Sequence, residues 1–128
     1  MRKIHRTFVT AGSIVGGLAV AAGAFASHIL EESLSQHMLE VFQTGVEYQM
    51  YHALALLAAA WAYTRWHSRY ARISGWAFLT GIVIFSGSLY LLALTGTRWL
   101  GAITPVGGVA FIIGWIALAL SPRRRRDE

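Results

Sequence analysis

The chain has 128 residues, 55% of them hydrophobic and 13% charged, with a mean hydropathy of +0.50. That composition excludes a soluble globular domain and leaves room for one membrane-embedded unit. The formal net charge of +5 sits in short Lys and Arg clusters beside apolar runs, with no nucleic-acid-binding motif, so it reports membrane topology and excludes a nucleic-acid partner.

The absence of cysteine removes disulfides, thiolate metal sites and thiol nucleophiles together. The first apolar run, residues 7–30, carries no Asp, Glu, Lys or Arg and is long enough for a hydrocarbon core of about 30 Å. Arg2, Lys3 and Arg6 ahead of it and Ala24-Phe25-Ala26 near its end give it the outline of a secretory signal. The run is longer than a signal core, so it is expected to stay in place as a span. Gly12, Gly16, Ala19 and Gly23 make a small-residue stripe at helical spacing, expected to let a neighbouring helix of the same chain approach closely.

Glu31, Glu32 and Ser33 break the apolar run. Over residues 34–46, Leu34, Met38 and Val41, and Leu39, Phe42 and Val46, recur every three or four residues, which predicts a short amphipathic helix. Ser33-x-x-Gln36 fits a capping box for its start. The helix is expected at the outer interface, bending at or near Gly45 into a second span over residues 47–64.

Arg65, Arg69 and Arg72 mark a basic loop before a third span over residues 73–94. Thr95-Gly96-Thr97-Arg98 is a polar turn, and residues 100–120 form a fourth span before Pro122 and the basic residues 123–126. That tail is expected to rest on anionic headgroups. Three Lys and Arg residues at the start, three in the middle loop and four in the tail face Arg98 alone. Four spans with both termini in the cytoplasm satisfy every cluster, and three spans do not. Trp61, Trp66, Trp76 and Trp115 then fall towards the inner interface and Trp99 towards the outer one. The predicted fold is an all-α membrane protein: four transmembrane helices plus the interfacial helix, in a plasma (inner) membrane.

Polar chemistry concentrates in residues 43–52. About 100° per residue puts Gln36, Glu40, Gln43, Glu47 and Tyr51 in one helical stripe, with Tyr48 and His52 on the neighbouring face. An ionisable group inside a span costs on the order of 3 kcal/mol, so Glu47 and His52 are expected to be paired, with His28 of the first span within reach. The candidate polar site therefore comprises His28, Gln43, Glu47, Tyr48, Gln49, Tyr51, His52, Ser86, Ser88, Tyr90 and Thr104. A satisfied network that ties the first two helices together is the leading explanation of the groups around His28, Glu47 and His52, while residues 85–90 and 104–108 could line a shared cavity, with packing the favoured explanation.

A two-His, one-carboxylate metal site from His28, His52 and Glu47 lacks the Glu-x-x-His pitch of di-iron bundles and the His-Glu-x-x-His pitch of zincins. No metal or cofactor is assigned. Ser86, Ser88 and Thr104 with His52 as base lack a Gly-x-Ser-x-Gly elbow, so no catalytic residue is assigned either. Gly107, Ala110, Gly114 and Ala117 form a second packing stripe, and Pro105 lies close enough to the start of its helix to be tolerated. A transport path would need polar groups through the whole thickness, whereas the inner halves are apolar apart from Thr80.

Four motifs go further: Gly23-Ala24-Phe25-Ala26-Ser27-His28, Phe42-Gln43-Thr44-Gly45-Val46-Glu47-Tyr48-Gln49-Met50-Tyr51-His52-Ala53-Leu54-Ala55, Phe85-Ser86-Gly87-Ser88-Leu89-Tyr90 and Thr104-Pro105-Val106-Gly107-Gly108. On these, over nearly its whole length, the chain resembles the YgdD-type family of small inner-membrane proteins, a domain of unknown function with animal relatives. Where that family has Gly-Ala-His, this chain has Ala26-Ser27-His28. The resemblance implies a small multi-spanning membrane protein and brings no activity. The residues favour a non-enzymatic role in binding a lipid, a quinone-like molecule or a protein partner, a second copy included. The alternative is a small-solute or proton-coupled transporter gated by Glu47 and His52, and behind it an acid–base or metal enzyme.

Overall fold

The computed structural model describes residues 2–123, so of the basic tail residues 124–126 lie outside it. Four helical rods run up and down through the described chain. Rod α1 comprises Arg2–Phe25, a π-helical turn Ala26–Leu30 and a last turn Glu31–Ser33. Rod α2 is Gln36–Trp66; α3 comprises Arg69–Gly81, a second π-helical turn Ile82–Ser86 and Gly87–Thr95; α4 is Leu100–Leu120. Short connections force each rod antiparallel to the one before it.

Local chemistry explains the reversals. Leu34 is extended at ψ 151° and the Ser35 hydroxyl accepts from the N–H of Met38 at 3.2 Å, so Ser35 caps α2. The Ser33 cap expected from sequence is corrected: the π-helical turn carries α1 through Ser33, whose hydroxyl bonds back to Ile29 O. His67 ends α2 in the left-handed region at φ 47°, and Ser68 caps α3 by accepting from Tyr70 N–H. Gly96 ends α3 at φ 70°, a conformation with no steric cost for glycine.

The separate interfacial helix over residues 34–46 and its bend near Gly45 are also corrected, because α2 continues unbroken through both. Glycine serves packing there: the Tyr90 ring lies against Gly45, and a Cβ would stand 2.8 Å from the nearest ring carbon. The glycine that looked like a hinge is a seat for an aromatic ring.

Rod α1 rests on α2, α2 on α3 and α3 on α4, so the two outer rods flank a central pair. The stripe of Gly12, Gly16, Ala19 and Gly23 packs on α2, with Gly12 against Leu56 and Leu57, Gly16 against Ala53 and Gly23 against Val46. Between α3 and α4 the contact is an interlock of rings and glycines: Phe111 sits over Gly81, Phe78 over Gly114, and the Phe85 backbone over Gly107. Phe8, Ala55, Leu56, Ala59, Ala60, Phe78, Ile82 and Phe111 make the central core. Its outward surface is apolar, with Ile14, Leu18 and Val20 on α1 and Val106, Val109 and Ile112 on α4 more than half exposed.

The segments Lys3–Ser33, Arg69–Thr95 and Leu100–Leu120 are long and apolar enough to cross a membrane. Rod α2 is not among them, because its first half carries the polar residues. Lys3, Arg6, Arg65, Arg69, Arg72 and Arg123 gather at one end of the rods, and Glu31, Glu32, Glu40, Glu47 and Arg98 belong to the other half.

Candidate functional site

The polar residues of α2 divide between two faces. Gly45, Gln49, His52 and Ala53 point into the bundle, on the same side as Leu56, Ala59, Ala60 and Tyr63. Gln43, Glu47, Tyr48 and Tyr51 are exposed.

Every inward group is engaged. Gln49 joins three rods: its Nε2 donates to Val15 O of α1 at 2.8 Å, and its Oε1 accepts from the Tyr90 hydroxyl of α3 at 2.5 Å. Ser86 donates to the Gly45 carbonyl at 2.7 Å, tying α3 to α2. The Ser88 and Thr104 hydroxyls lie 2.7 Å apart between α3 and α4. Each hydroxyl has one proton, so either Ser88 donates to Thr104 and Thr104 to Leu100 O at 3.2 Å, or Thr104 donates to Ser88 and Ser88 to Phe85 O at 2.9 Å.

His52 is 4% exposed and lies flat on the Phe111 ring, with centroids 3.5 Å apart and planes 7° apart. The indole N–H of Trp115 donates to its Nε2 at 3.1 Å. An indole only donates, so Nε2 holds a lone pair, and Nδ1 carries the proton that it gives to Tyr48 O at 2.8 Å. The imidazole is neutral in this arrangement and has no nitrogen left for an incoming hydroxyl. Among the described residues, no buried side-chain N or O lacks a partner.

Other sequence-predicted members stand apart. His28 is exposed on α1 and makes no side-chain hydrogen bond to a described residue, so its expected meeting with Glu47 or His52 is corrected. The π-helical turn at Ala26–Leu30 directs Ala26 and Leu30 inward and leaves His28 outside. Glu47 is likewise exposed, against the expectation that a carboxyl within a span turns inward. No three His, Cys, Asp or Glu residues among those described lie close enough to hold a metal.

The exposed Tyr48 ring packs 4.6 Å from Phe85 and 5.7 Å from Tyr51, making an aromatic rim on the seam between α2 and α3. Sequence reasoning missed Trp115 as the partner of His52, having assigned it to the interfacial belt. The signal for the inward face was present in Gly45, Ala53, Ala59 and Ala60, a stripe of small residues in phase with Gln49 and His52.

The motifs quoted from the sequence all fall in a region that matches a family model described as "Protein of unknown function (DUF423)", residues 22–108. The UPF0382 membrane protein YwdK of Bacillus subtilis is 45% identical over 117 residues, covering 91% of this chain and 95% of that protein. The UPF0382 membrane protein SSP2132 of Staphylococcus saprophyticus is 46% identical over 115 residues, covering 90% and 95%. A UPF0382 membrane protein of Haemophilus influenzae is 45% identical over 112 residues, covering 88% and 90%. No solved structure matches.

Proposed function

The chain belongs to the DUF423 family, the UPF0382 membrane proteins of YgdD type, and on that premise we propose that it is a non-enzymatic binding or assembly protein. Its recognition surface is the outward face of α2, which takes a membrane lipid, a quinone-like molecule or a partner helix. The observation that carries this reading is the division of polar groups on α2. Gln49 and His52 are consumed inside the bundle, whereas Gln43, Glu47, Tyr48 and Tyr51 share the outside and make no side-chain hydrogen bond to a described residue. Intramembrane polar groups left facing outward are costly unless something polar covers them.

The reading takes all four rods as spans. Rod α2 has 31 residues, about 46 Å at 1.5 Å per residue, and is held between two rods of sufficient apolarity. The basic ends of the rods mark the cytoplasmic side. A transport role draws no support from the interior, where every buried polar side chain among the described residues has a hydrogen-bond partner within the chain.

The test is a density map of the protein extracted with native lipid, wild type beside Glu47→Gln. Ordered density against Glu47 and Tyr51 that disappears in the variant is expected. A bare α2 face in the wild type would sink the proposal.

A further inference from the structure

Within that reading, we infer that the occupant of the α2 face is a second copy of this chain, joined ridge to ridge about a two-fold axis along the membrane normal. Gln36, Glu40, Gln43, Glu47, Tyr51, Leu54, Ala58 and Trp61 follow one another at intervals of three or four residues, and all are exposed. Tyr51, Leu54 and Trp61 are 54%, 58% and 59% exposed, the values of a crest and not of a groove. The ridge runs about 38 Å at 1.5 Å per residue, the length of a helix contact.

Depth excludes a headgroup as the cover. His52 meets Phe111 and Trp115 of α4, so Glu47, five residues above His52, lies level with about residue 106. That is about 9 Å below the top of α4, whose 21 residues span about 31 Å and so match the hydrocarbon thickness. A headgroup layer is only about 5–8 Å deep on each side and lies outside that boundary. Glu47 needs a polar partner that is itself embedded.

The ridge supplies one to its own copy. In parallel helices packed on a two-fold axis, a seam residue meets its own copy at the same level and, along the other helix, residues three or four positions away. Gln43 of each copy then meets Glu47 of the other, and the contact occurs twice. A carboxamide and a carboxyl are complementary in either protonation state: the amide N–H donates to the carboxyl, and a protonated carboxyl donates back to the amide oxygen. The alternative seams are already occupied, since the glycine stripe of α1 packs on α2 and that of α4 packs on α3.

The experiment uses the full chain in native membranes, where the absence of cysteine makes single-cysteine variants clean. Oxidative cross-linking is expected at Leu54→Cys and Ala58→Cys and not at Ile14→Cys on α1 or Val109→Cys on α4. Glu47→Ala and, separately, Gln43→Leu are expected to weaken dimerisation in lipid about tenfold, the scale of a lost intramembrane hydrogen-bonded pair, with unchanged thermal melts. Cross-linking on α1 or α4 in place of α2, or none at all, overturns the dimer. A monomer that keeps Glu47-dependent lipid density overturns the dimer and leaves the recognition surface standing. A monomer with no Glu47-dependent density overturns both.

Discussion

Trp115 of the fourth rod hands its indole N–H to His52 of the second, and the same imidazole is stacked on Phe111 one turn earlier on that rod. Two contacts of α4 with α2 thus converge on one side chain. His52→Ala is expected to destabilise the protein by about 2–4 kcal/mol, because it removes a buried ring and strands the indole donor. Trp115→Phe keeps an aromatic surface and loses only the donor, so it should cost about 1 kcal/mol. Thermal melts in one detergent rank the two variants, and equal losses would contradict the stacked, donor-fed geometry.

Gln49 and Tyr90 form a separable pair. Gln49→Leu and Tyr90→Phe each break the 2.5 Å bond, and the double variant should lose less than the sum of the singles by about 1 kcal/mol. A double-mutant cycle with no coupling would mean that the glutamine acts through Val15 of α1 alone.

Gly107 tests the interlock of α3 with α4. A Cβ there would stand 2.5 Å from the Phe85 backbone nitrogen, and backbone cannot swing aside as a side chain can. Gly107→Ala should cost about 1–3 kcal/mol. Gly108→Ala, one residue on and with nothing within 4 Å, should be neutral or slightly stabilising in the same melt.

The orientation is tested at Ser35, in the turn between α1 and α2. Ser35→Cys should react with an impermeant thiol reagent added outside intact cells. Reaction only after the cytoplasm is opened would reverse the topology that the basic clusters imply.

Much of this molecule was legible before any coordinates. The fourth rod falls on residues 100–120 as its apolar run suggests, and the two glycine stripes pack inside the chain. The orientation of α2 was only faintly legible, in the phase of its small residues. A helical wheel says which residues share a face, but α2 carries polar groups on opposite faces, and only tertiary contacts decide which face meets the bundle. The rule that an ionisable group turns inward favoured Glu47, yet the small residues Ala53, Ala59 and Ala60 that admit neighbouring helices lie in phase with His52. The π-helical turns were equally invisible, since no residue type demands them.

Those two turns give the chain a tolerance to changes of length. A π-helical turn carries one residue more than the α-helix on either side needs, so losing a residue there returns the rod to regular winding while the segments above and below keep their phase. A deletion elsewhere turns everything beyond it by about 100°. Removing Val83, which is 67% exposed inside Ile82–Ser86, should therefore leave Ser88 facing Thr104, whereas removing Leu91 or Leu79 should not spare the bundle. In a single-deletion scan read by folding yield, the survivors in α1 and α3 are expected at Ala26–Leu30 and Ile82–Ser86. These are the two places where the length of the rods is free to drift while their faces stay fixed.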